Sequence, residues 1–198
     1  PVKSIHSNGS DIVIYELEDG TFEIHSSQGQ YKGEFKYIDK SDPFNTIFLD
    51  VTIEKIFSSE DGVYLSSNEG FIFSPDLSNY YEESFDPFIV NDEYIYGGSQ
   101  ENKVKEVYFT QRESVALLED GSVIPLLERY GVPLLTPSEA EALTTDNYSE
   151  EDLKEIKALA EFTSSGVTKI FTNAYYFAAI KDDGSSMVWG RFREGRGG

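Results

Sequence analysis

The chain contains no cysteine, which excludes disulfide bonds, thiolate metal sites and cysteine nucleophiles. Tryptophan and methionine occur once each, and histidine occurs only as His6 and His25. No apolar run approaches the roughly 18 residues that a membrane-spanning helix needs. Positive charge is also scarce: the chain has 16 basic and 36 acidic residues, which gives a formal net charge of −20. Such an anionic surface repels phosphate backbones, so we expect no nucleic-acid partner. Because long apolar runs are missing, we also expect no membrane span.

The motifs of common catalytic sites are missing as well. The sequence has no Gly-x-Ser-x-Gly elbow, no His-Glu-x-x-His helix and no Gly-x-x-x-x-Gly-Lys loop. His6 and His25 fall at different points of one strand pattern, which does not suggest a pair. We therefore predict a protein that is not an enzyme and assign no catalytic residue. The alternative is a hydrolase that acts on glycans through paired carboxylates, which are abundant enough to supply an acid and a base.

Aromatic residues are plentiful and point to strands. Tyrosine and phenylalanine occur 13 and 14 times in 198 residues, and hydrophobic residues make up 39% of the chain. Aromatic side chains favour β-structure over helix. A chain of this length and hydrophobicity is long enough to bury a core, so it is not expected to be disordered.

An internal repeat organises the whole sequence. The stretch VKEVYFTQRESVALLEDGS from Val104 aligns without gaps with VTKIFTNAYYFAAIKDDGS from Val167. Weaker copies begin at Val2 and Ile53. Each copy ends its second apolar run at an acidic residue followed by glycine, a pair that supplies the positive φ angle of a tight hairpin turn. These turn glycines, spaced by 50, 51 and 63 residues, are Gly20, Gly70, Gly121 and Gly184.

The repeat predicts an all-β fold. Each unit contains a first strand, then two strands joined by the glycine turn, and candidates for a fourth strand are Gly33–Ile38 and Glu93–Gly98. We predict one repeat domain over residues 1–198, made of four blade-like antiparallel units that form a propeller or an open propeller-like array. The alternative is a β-sandwich built from the same hairpins. The unit boundaries fall at about 2–50, 51–101, 102–163 and 164–198.

The third linker is about a dozen residues longer than the others, and its extra length predicts a small helical insertion at about 137–162. Pro137 occupies a natural first helical position. Further on, Ser149 is a typical N-cap, and the acidic residues after it suit the helix dipole. Leu153 and Ile156 then begin one apolar stripe.

The last unit carries a family resemblance. The stretch VTKIFTNAYYFAAIKDDGSSMVWG, with GRGG following it, resembles the repeat of the regulator of chromosome condensation family of β-propellers, and more closely its degenerate bacterial version. The Trp-Gly pair of this unit is absent from the other three. The resemblance implies a protein-interaction or ligand-binding module within a larger bacterial repeat protein that is surface-exposed, secreted or an effector. A secreted or cell-surface location is thus favoured over a cytoplasmic one.

Exposed aromatic and basic side chains form the expected binding face. A face of this kind would bind another protein or a cell-surface ligand. No cofactor is expected, although the oxygen-rich loops Asp39–Asn45 and Asp76–Glu83 could offer ligands to Ca²⁺. The residues assigned to the binding face are Tyr80, Tyr81, Tyr175, Tyr176, Arg191 and Arg193.

The two ends of the chain suggest an unfinished array. The sequence begins with the first strand of a unit at Val2 and ends just past the third strand at Trp189 and Gly190. A sheet edge left open in this way exposes unpaired backbone groups. The chain is therefore expected to be a piece of a longer repeat protein, or an assembly whose open edge is covered by another chain.

Overall fold

The computed structural model describes residues 1–7, 9, 12–26, 29–39, 47–59, 62–74, 89–90, 95–111, 113–127, 132–146 and 148–190. The chain divides into two compact units, Pro1–Lys103 and Val104–Gly198. Strands dominate both units, and two helices lie in the second. No helix within the described ranges is long and apolar enough to cross a membrane.

The described residues of the unit Pro1–Lys103 contain eleven short strands. These are β1 (Val2–Ser7), β2 (Ile12–Leu17), β3 (Phe22–Ser26), β4 (Gly29–Gly33), β5 (Lys36–Asp39), β6 (Ile47–Asp50), β7 (Ile53–Ser59), β8 (Gly62–Ser67), β9 (Ile72–Phe73), β10 (Ile89–Val90) and β11 (Ile95–Gly97).

These strands form three sheets. The first sheet has the order β1-β2-β3-β4, and the second sheet has the order β11-β9-β8-β7; both are antiparallel throughout. A connecting sheet with the order β10-β5-β6 contains one parallel pair, β10 with β5.

The unit Val104–Gly198 contains two further sheets, each of three strands. The third sheet has the order β12-β13-β14, and the fourth sheet has the order β15-β16-β17; both are antiparallel. The elements of this unit are, in chain order, β12 (Val104–Phe109), β13 (Ser114–Leu118), β14 (Val123–Leu127), α1 (Pro137–Ala142), α2 (Glu150–Thr163), β15 (Val167–Thr172), β16 (Tyr176–Lys181) and β17 (Ser186–Gly190).

Each of the two helices begins at a capping box. The Thr136 side chain accepts a hydrogen bond from the Glu139 backbone N–H, and Pro137 follows Thr136 at the first helical position. At α2 the Ser149 hydroxyl accepts from the Asp152 backbone N–H, while the Asp152 carboxylate accepts from the Ser149 backbone N–H. Both caps satisfy backbone donors that have no partner inside the helix. The predicted insertion is therefore confirmed as two short helices.

The four turn glycines lie at the hairpin between the second and third strands of each sheet. Three of these turns share an Asp-Gly-Ser or Asp-Gly-Thr sequence, in which the aspartate Oδ1 accepts from both the backbone N–H and the hydroxyl two residues later. This Asx-type pairing holds the turn without help from the rest of the fold. The φ angles are +85° at Gly20, +90° at Gly70, +81° at Gly121 and +83° at Gly184.

Every sheet has two faces that can be defined from its turn. Side chains alternate between the two faces along a strand. The trailing face carries the residue six positions before the turn glycine. The leading face is the opposite face and carries the residue five positions before the turn glycine. The trailing residues are Ile14, Tyr64, Val115 and Ala178, and the leading residues are Tyr15, Leu65, Ala116 and Ala179.

Within each compact unit, a trailing face packs on a leading face. In the first unit, Ile14 and Ile24 of the first sheet share a hydrophobic cluster with Leu65 and Phe73 of the second. Burying these side chains removes apolar surface from water at about 25 cal/mol per Å², which is the main stabilising term of such a contact.

The second unit repeats this arrangement and adds the helices to it. Val115 and Leu117 of the third sheet share one hydrophobic cluster with Ile170 and Ala179 of the fourth. Ile156 and Leu159 of α2 belong to the same cluster, so the helical insertion packs on this inner core.

The all-β fold of blade-like antiparallel units with a small helical insertion is thus confirmed. Its described strands form small sheets rather than the two large layers of a sandwich. One detail of the sequence analysis is wrong. The fourth strand of the first sheet is Gly29–Gly33 rather than Gly33–Ile38, and Lys36–Asp39 belongs instead to the connecting sheet. The other candidate, Glu93–Gly98, contains β11, the fourth strand of the second sheet.

Candidate functional site

The trailing face of the fourth sheet is an apolar surface that faces solvent. The register pairs Phe171 with Ala178 and Ala178 with Val188, so these three side chains form one row across the sheet. A second row on the same face contains Lys169 and Ile180. We call this surface the terminal face, defined as Lys169, Phe171, Tyr176, Ala178, Ile180 and Val188.

Large apolar side chains on the terminal face are unusually exposed. The exposed fractions are 64% for Val188, 47% for Phe171 and 38% for Ile180. Their direct neighbours in sequence point inward: Trp189 is 5% exposed and Ile170 is 2% exposed. The strict alternation buries one face of this sheet and leaves large apolar side chains of the opposite face exposed to solvent. Neighbouring exposed apolar side chains make this surface a candidate interaction site.

The charge of the terminal face differs from that of the chain as a whole. Lys169 is its one charged member, and its ammonium group lies 4.6 Å from the centre of the Phe171 ring. This cation–π contact holds the lysine stem against the apolar surface. In a chain with 36 acidic residues, the six side chains of the terminal face therefore include a cation and no carboxylate.

The turn between β15 and β16 lies at one border of the terminal face. The Asn173 Oδ1 atom accepts hydrogen bonds from the backbone N–H groups of Tyr175 and Tyr176. Gly190 crosses directly beside this turn, where a Cβ atom would lie 2.4 Å from the Tyr175 carbonyl oxygen. Only glycine permits that approach at a φ angle of +139°. The Asn173 side chain and the close approach of Gly190 therefore both fix the backbone that carries the two tyrosines.

The equivalent face of the third sheet is covered. Tyr108, which aligns with Phe171 in the repeat, packs on the hydrophobic cluster of the second unit and hydrogen-bonds to the backbone of Ile170. Burial, together with the nearby Glu106 carboxylate, raises the pKa of the Tyr108 phenol above its ordinary value. Leu117, which aligns with Ile180, is 1% exposed. The two sheets present the same kind of face, and they differ in whether a neighbouring sheet covers it.

The structure brings together only part of the predicted binding face. Tyr175, at the turn before β16, is 46% exposed, and Tyr176, the first residue of β16, is 39% exposed and belongs to the terminal face. The turn glycines lie at four separate hairpins and share no site. The remaining predicted residues, Tyr80, Tyr81, Arg191 and Arg193, lie outside the described residues.

Sequence analysis missed the larger part of the terminal face. Phe171, Ile180 and Val188 were not singled out, although a signal for them exists in the repeat. Each of them occupies a trailing position by its distance from the turn glycine, as Ile14 and Val115 do. Counting residues from the turn glycine assigns these three side chains to the trailing face, but it does not show that this face is exposed.

The two histidines lie on opposite faces of the first sheet. His6 pairs with Ile14 across the strands and contacts the Ser4 hydroxyl, while His25 pairs with Val13. Partial burial lowers the pKa of His6 against the opposing effect of the Glu16 carboxylate. Because they face apart, the two side chains cannot act together.

The Glu16 carboxylate is held in its ionised form beside His6. Burial of this group opposes ionisation, but hydrogen bonds from Lys3 and Ser4 outweigh that effect and lower the pKa of Glu16. The pair with Lys3 is a surface salt bridge, which contributes little to stability.

A metal site has no support in the part of the chain that the structure describes. Its described residues contain no group of three or more histidine, aspartate or glutamate side chains that could hold an ion. Of the two loops considered for Ca²⁺, Asp76–Glu83 and nearly all of Asp39–Asn45 lie outside the described ranges.

Comparison with known proteins identifies no family. No family model matches the chain, and no curated protein matches it. Among solved structures, the crystal structure of human WBSCR16 is similar with 16% sequence identity and a TM-score of 0.45. The match covers 96% of this chain and 47% of that one, so this chain spans about half the length of that protein. The function must therefore be argued from the residues of this chain.

Proposed function

We propose that this chain is a non-enzymatic protein-interaction module and that the terminal face is its binding surface. The observation that carries the proposal is the exposure of Phe171, Ile180 and Val188 in one continuous patch. A buried sheet presents such residues to its core, and an exposed sheet normally replaces them with polar side chains. The patch lies on a rigid sheet, so it costs little conformational entropy on binding.

The chemistry of the surface defines the kind of partner that fits it. A flat row of aromatic and aliphatic side chains favours an apolar protein surface of similar flatness. Tyr176 adds a phenol at the border of the patch, and aromatic residues of this type contribute strongly to protein interfaces. The cation of Lys169 would favour a partner with a carboxylate near its own apolar patch.

The proposal extends to the origin of the units. We infer that the four sheets are degenerate repeats of the regulator of chromosome condensation type, in a bacterial protein that binds another protein at a cell surface or in a host. The Trp189-Gly190 pair and the four glycine turns support that inference.

The test is a binding screen with a variant of the terminal face. In Val188→Lys, a charged group replaces the most exposed apolar side chain of the patch while the fold is kept, because the side chain at this position already lies in solvent. Candidate envelope and host proteins would be tested against immobilised wild-type chain by surface plasmon resonance. We expect at least one partner whose affinity falls tenfold or more in the variant.

A matched control is available on the helical insertion. Ala142, the last residue of α1, is also exposed, and Ala142→Lys adds the same charge on an element that packs on the inner core. The control should bind as the wild-type chain does. If every partner found binds the wild-type chain and Val188→Lys equally well, the terminal face is not the binding surface.

A further inference from the structure

We propose that Asp19 and Asp183 are sites of slow spontaneous isomerisation to isoaspartate, and that the hydroxyl groups of Thr21 and Ser185 hold this reaction back. Each aspartate directly precedes a turn glycine. In such a pair the glycine nitrogen attacks the aspartate side chain more readily than other backbone nitrogens do, because glycine has no Cβ atom to obstruct the approach. Neither site belongs to the terminal face, so the reaction does not depend on the function proposed for that face.

The reaction needs no reactant other than water. The glycine nitrogen gives up its proton and bonds to the Cγ atom of the aspartate, whose protonated carboxyl group loses a hydroxyl; proton and hydroxyl leave together as water. Water then opens the succinimide ring that has formed. Opening at Cγ restores aspartate, whereas opening at the former main-chain carbonyl gives isoaspartate, whose main chain runs through Cβ and Cγ. The carboxyl group must therefore be protonated and must lie against the glycine nitrogen.

The folded turn at Asp183 opposes both requirements. The Asp183 Oδ1 atom accepts hydrogen bonds from the Ser185 hydroxyl at 2.6 Å and from the Ser185 backbone N–H at 2.8 Å. These bonds favour the ionised carboxylate and lower its pKa, so they reduce the protonated fraction at neutral pH. They also hold the carboxylate towards Ser185, while the Gly184 N–H donates to the Lys181 carbonyl at 3.0 Å. The serine hydroxyl is thus a restraint that one substitution removes.

The turn at Asp19 repeats this geometry. Its Oδ1 atom accepts from the Thr21 hydroxyl at 2.6 Å and from the Thr21 backbone N–H at 3.0 Å, and these bonds lower the pKa of Asp19. The Gly20 N–H donates to the Leu17 carbonyl at 3.1 Å. Both turns are exposed, and a Cβ atom added at Gly20 or Gly184 would meet nothing within 4 Å. The space around both turns therefore accommodates the longer main chain of isoaspartate.

The turn at Asp120 has the same Asp-Gly-Ser sequence as the turn at Asp183, but it is packed. Gly121 is buried, and a Cβ atom there would lie 2.6 Å from the backbone nitrogen atoms of Gly166 and Val167. The Gly166 N–H donates to the Asp120 carbonyl, and the Val167 N–H donates to the Gly121 carbonyl. Isomerisation would turn the Asp120 carbonyl into a free carboxylate and lengthen the main chain against β15. The packing of β15 therefore protects Asp120 even without the hydroxyl of its serine.

The test compares two matched substitutions in the full chain, Ser185→Ala and Ser122→Ala. Each removes the hydroxyl from an Asp-Gly-Ser turn of the same compact unit. The folded proteins would be incubated at neutral pH in heavy-oxygen water, because every opening of a succinimide leaves one heavy oxygen atom in the chain. Mass spectrometry of protease fragments then gives the labelling rate at each aspartate. Methylation by an enzyme specific for isoaspartyl carboxylates identifies the product.

The labelling rates should follow the environment of each turn. In the wild-type chain, Asp19 and Asp183 should be labelled faster than Asp120. Ser185→Ala should speed labelling at Asp183 about threefold, the effect of one net hydrogen bond at the lower end of its usual range, and should leave Asp19 unchanged. Ser122→Ala should leave Asp120 slow. In concentrated urea, where the turns are unfolded, Asp120 and Asp183 should be labelled at the same rate.

The contrary results each overturn the proposal. An unchanged rate at Asp183 in Ser185→Ala would show that the hydroxyl does not restrain the reaction. Equal rates at Asp120 and Asp183 in the folded wild-type chain, or a faster rate in Ser122→Ala, would show that packing gives no protection. Label at Asp183 without methylation would mean that the ring reopens only to aspartate. A general loss of the fold is distinguishable, because it would raise labelling at all three aspartates together.

Discussion

Two turn glycines with the same backbone conformation should respond very differently to alanine. Gly121 and Gly184 have φ angles of +81° and +83°, and both belong to the compact unit Val104–Gly198. A Cβ atom at Gly184 meets nothing within 4 Å, whereas at Gly121 it would lie 2.6 Å from the backbone nitrogen atoms of Gly166 and Val167. The pair therefore separates the cost of a left-handed backbone from the cost of a close contact.

The two costs can be given magnitudes. The left-handed conformation costs an alanine roughly 1–2 kcal/mol, partly offset by the lower entropy of its unfolded chain, so Gly184→Ala should lose about 1 kcal/mol. Gly121→Ala bears the same cost and also pushes the start of β15 away. That displacement breaks the bond from Val167 N–H to the Gly121 carbonyl and the bond from Gly166 N–H to the Asp120 carbonyl. At about 1 kcal/mol per bond, Gly121→Ala should lose about 3 kcal/mol.

Urea unfolding measures both losses with one probe. The single tryptophan, Trp189, is buried in the same unit and stacks on Phe177 with ring centroids 5.3 Å apart, so its fluorescence reports unfolding of that unit. We expect a difference of about 2 kcal/mol in the free energy of unfolding between the two variants. Equal losses would refute the reasoning, because they would mean that the turn of the third sheet does not support β15.

Three further predictions concern the same unit. Ser149→Ala removes the N-cap of α2 and should lower the free energy of unfolding by about 1 kcal/mol in the same urea assay. The Asp183 carboxylate accepts hydrogen bonds from the Ser185 hydroxyl and backbone N–H, which lowers its pKa. Its stabilising effect should thus be present above the unfolded pKa and be lost as pH falls through the folded one, and an NMR titration should show the pKa rising towards its ordinary value in Ser185→Ala. Phe177→Ala empties a fully buried site and should cost about 3–5 kcal/mol. Phe171→Ala, on the terminal face, should cost less than about 1 kcal/mol, and similar losses for the two phenylalanines would contradict the assignment of faces.

Local signals explain why the sequence predicts the hairpins and the helices. The Asp-Gly pair at residue 120 needs only its own side chain and a positive φ angle to form its turn. Ser149 likewise caps α2 through residues three positions away. Such features depend on neighbours in the sequence and require no knowledge of the tertiary fold.

The strand at Gly29–Gly33 was missed for the opposite reason. Its sequence, GQYKG, contains a single large apolar side chain, Tyr31, so it lacks the alternation that marks a strand. It forms because β3 offers a free edge, on which Tyr31 pairs with Ile24. Pairing of this kind is a tertiary effect that overrides local preference.

The candidate site could be predicted only in part, because alternation does not reveal exposure. Tyr108 and Phe171 occupy equivalent positions in aligned repeats, and both alternate with buried neighbours. One packs on the next sheet and the other faces solvent. Their environments differ because a further sheet follows Tyr108 in space, which is a property of the array and not of the strand.

The most direct measurement of the central claim uses the absence of cysteine. Val188→Cys places the only thiol of the chain on the terminal face, and Ala142→Cys places it on the helical insertion as a control. The rate of reaction with a maleimide would be measured for both variants in dilute solution. If the terminal face is an exposed surface, the thiol at 188 reacts as fast as the control. A thiol at 188 that reacts much more slowly than the control would contradict the account.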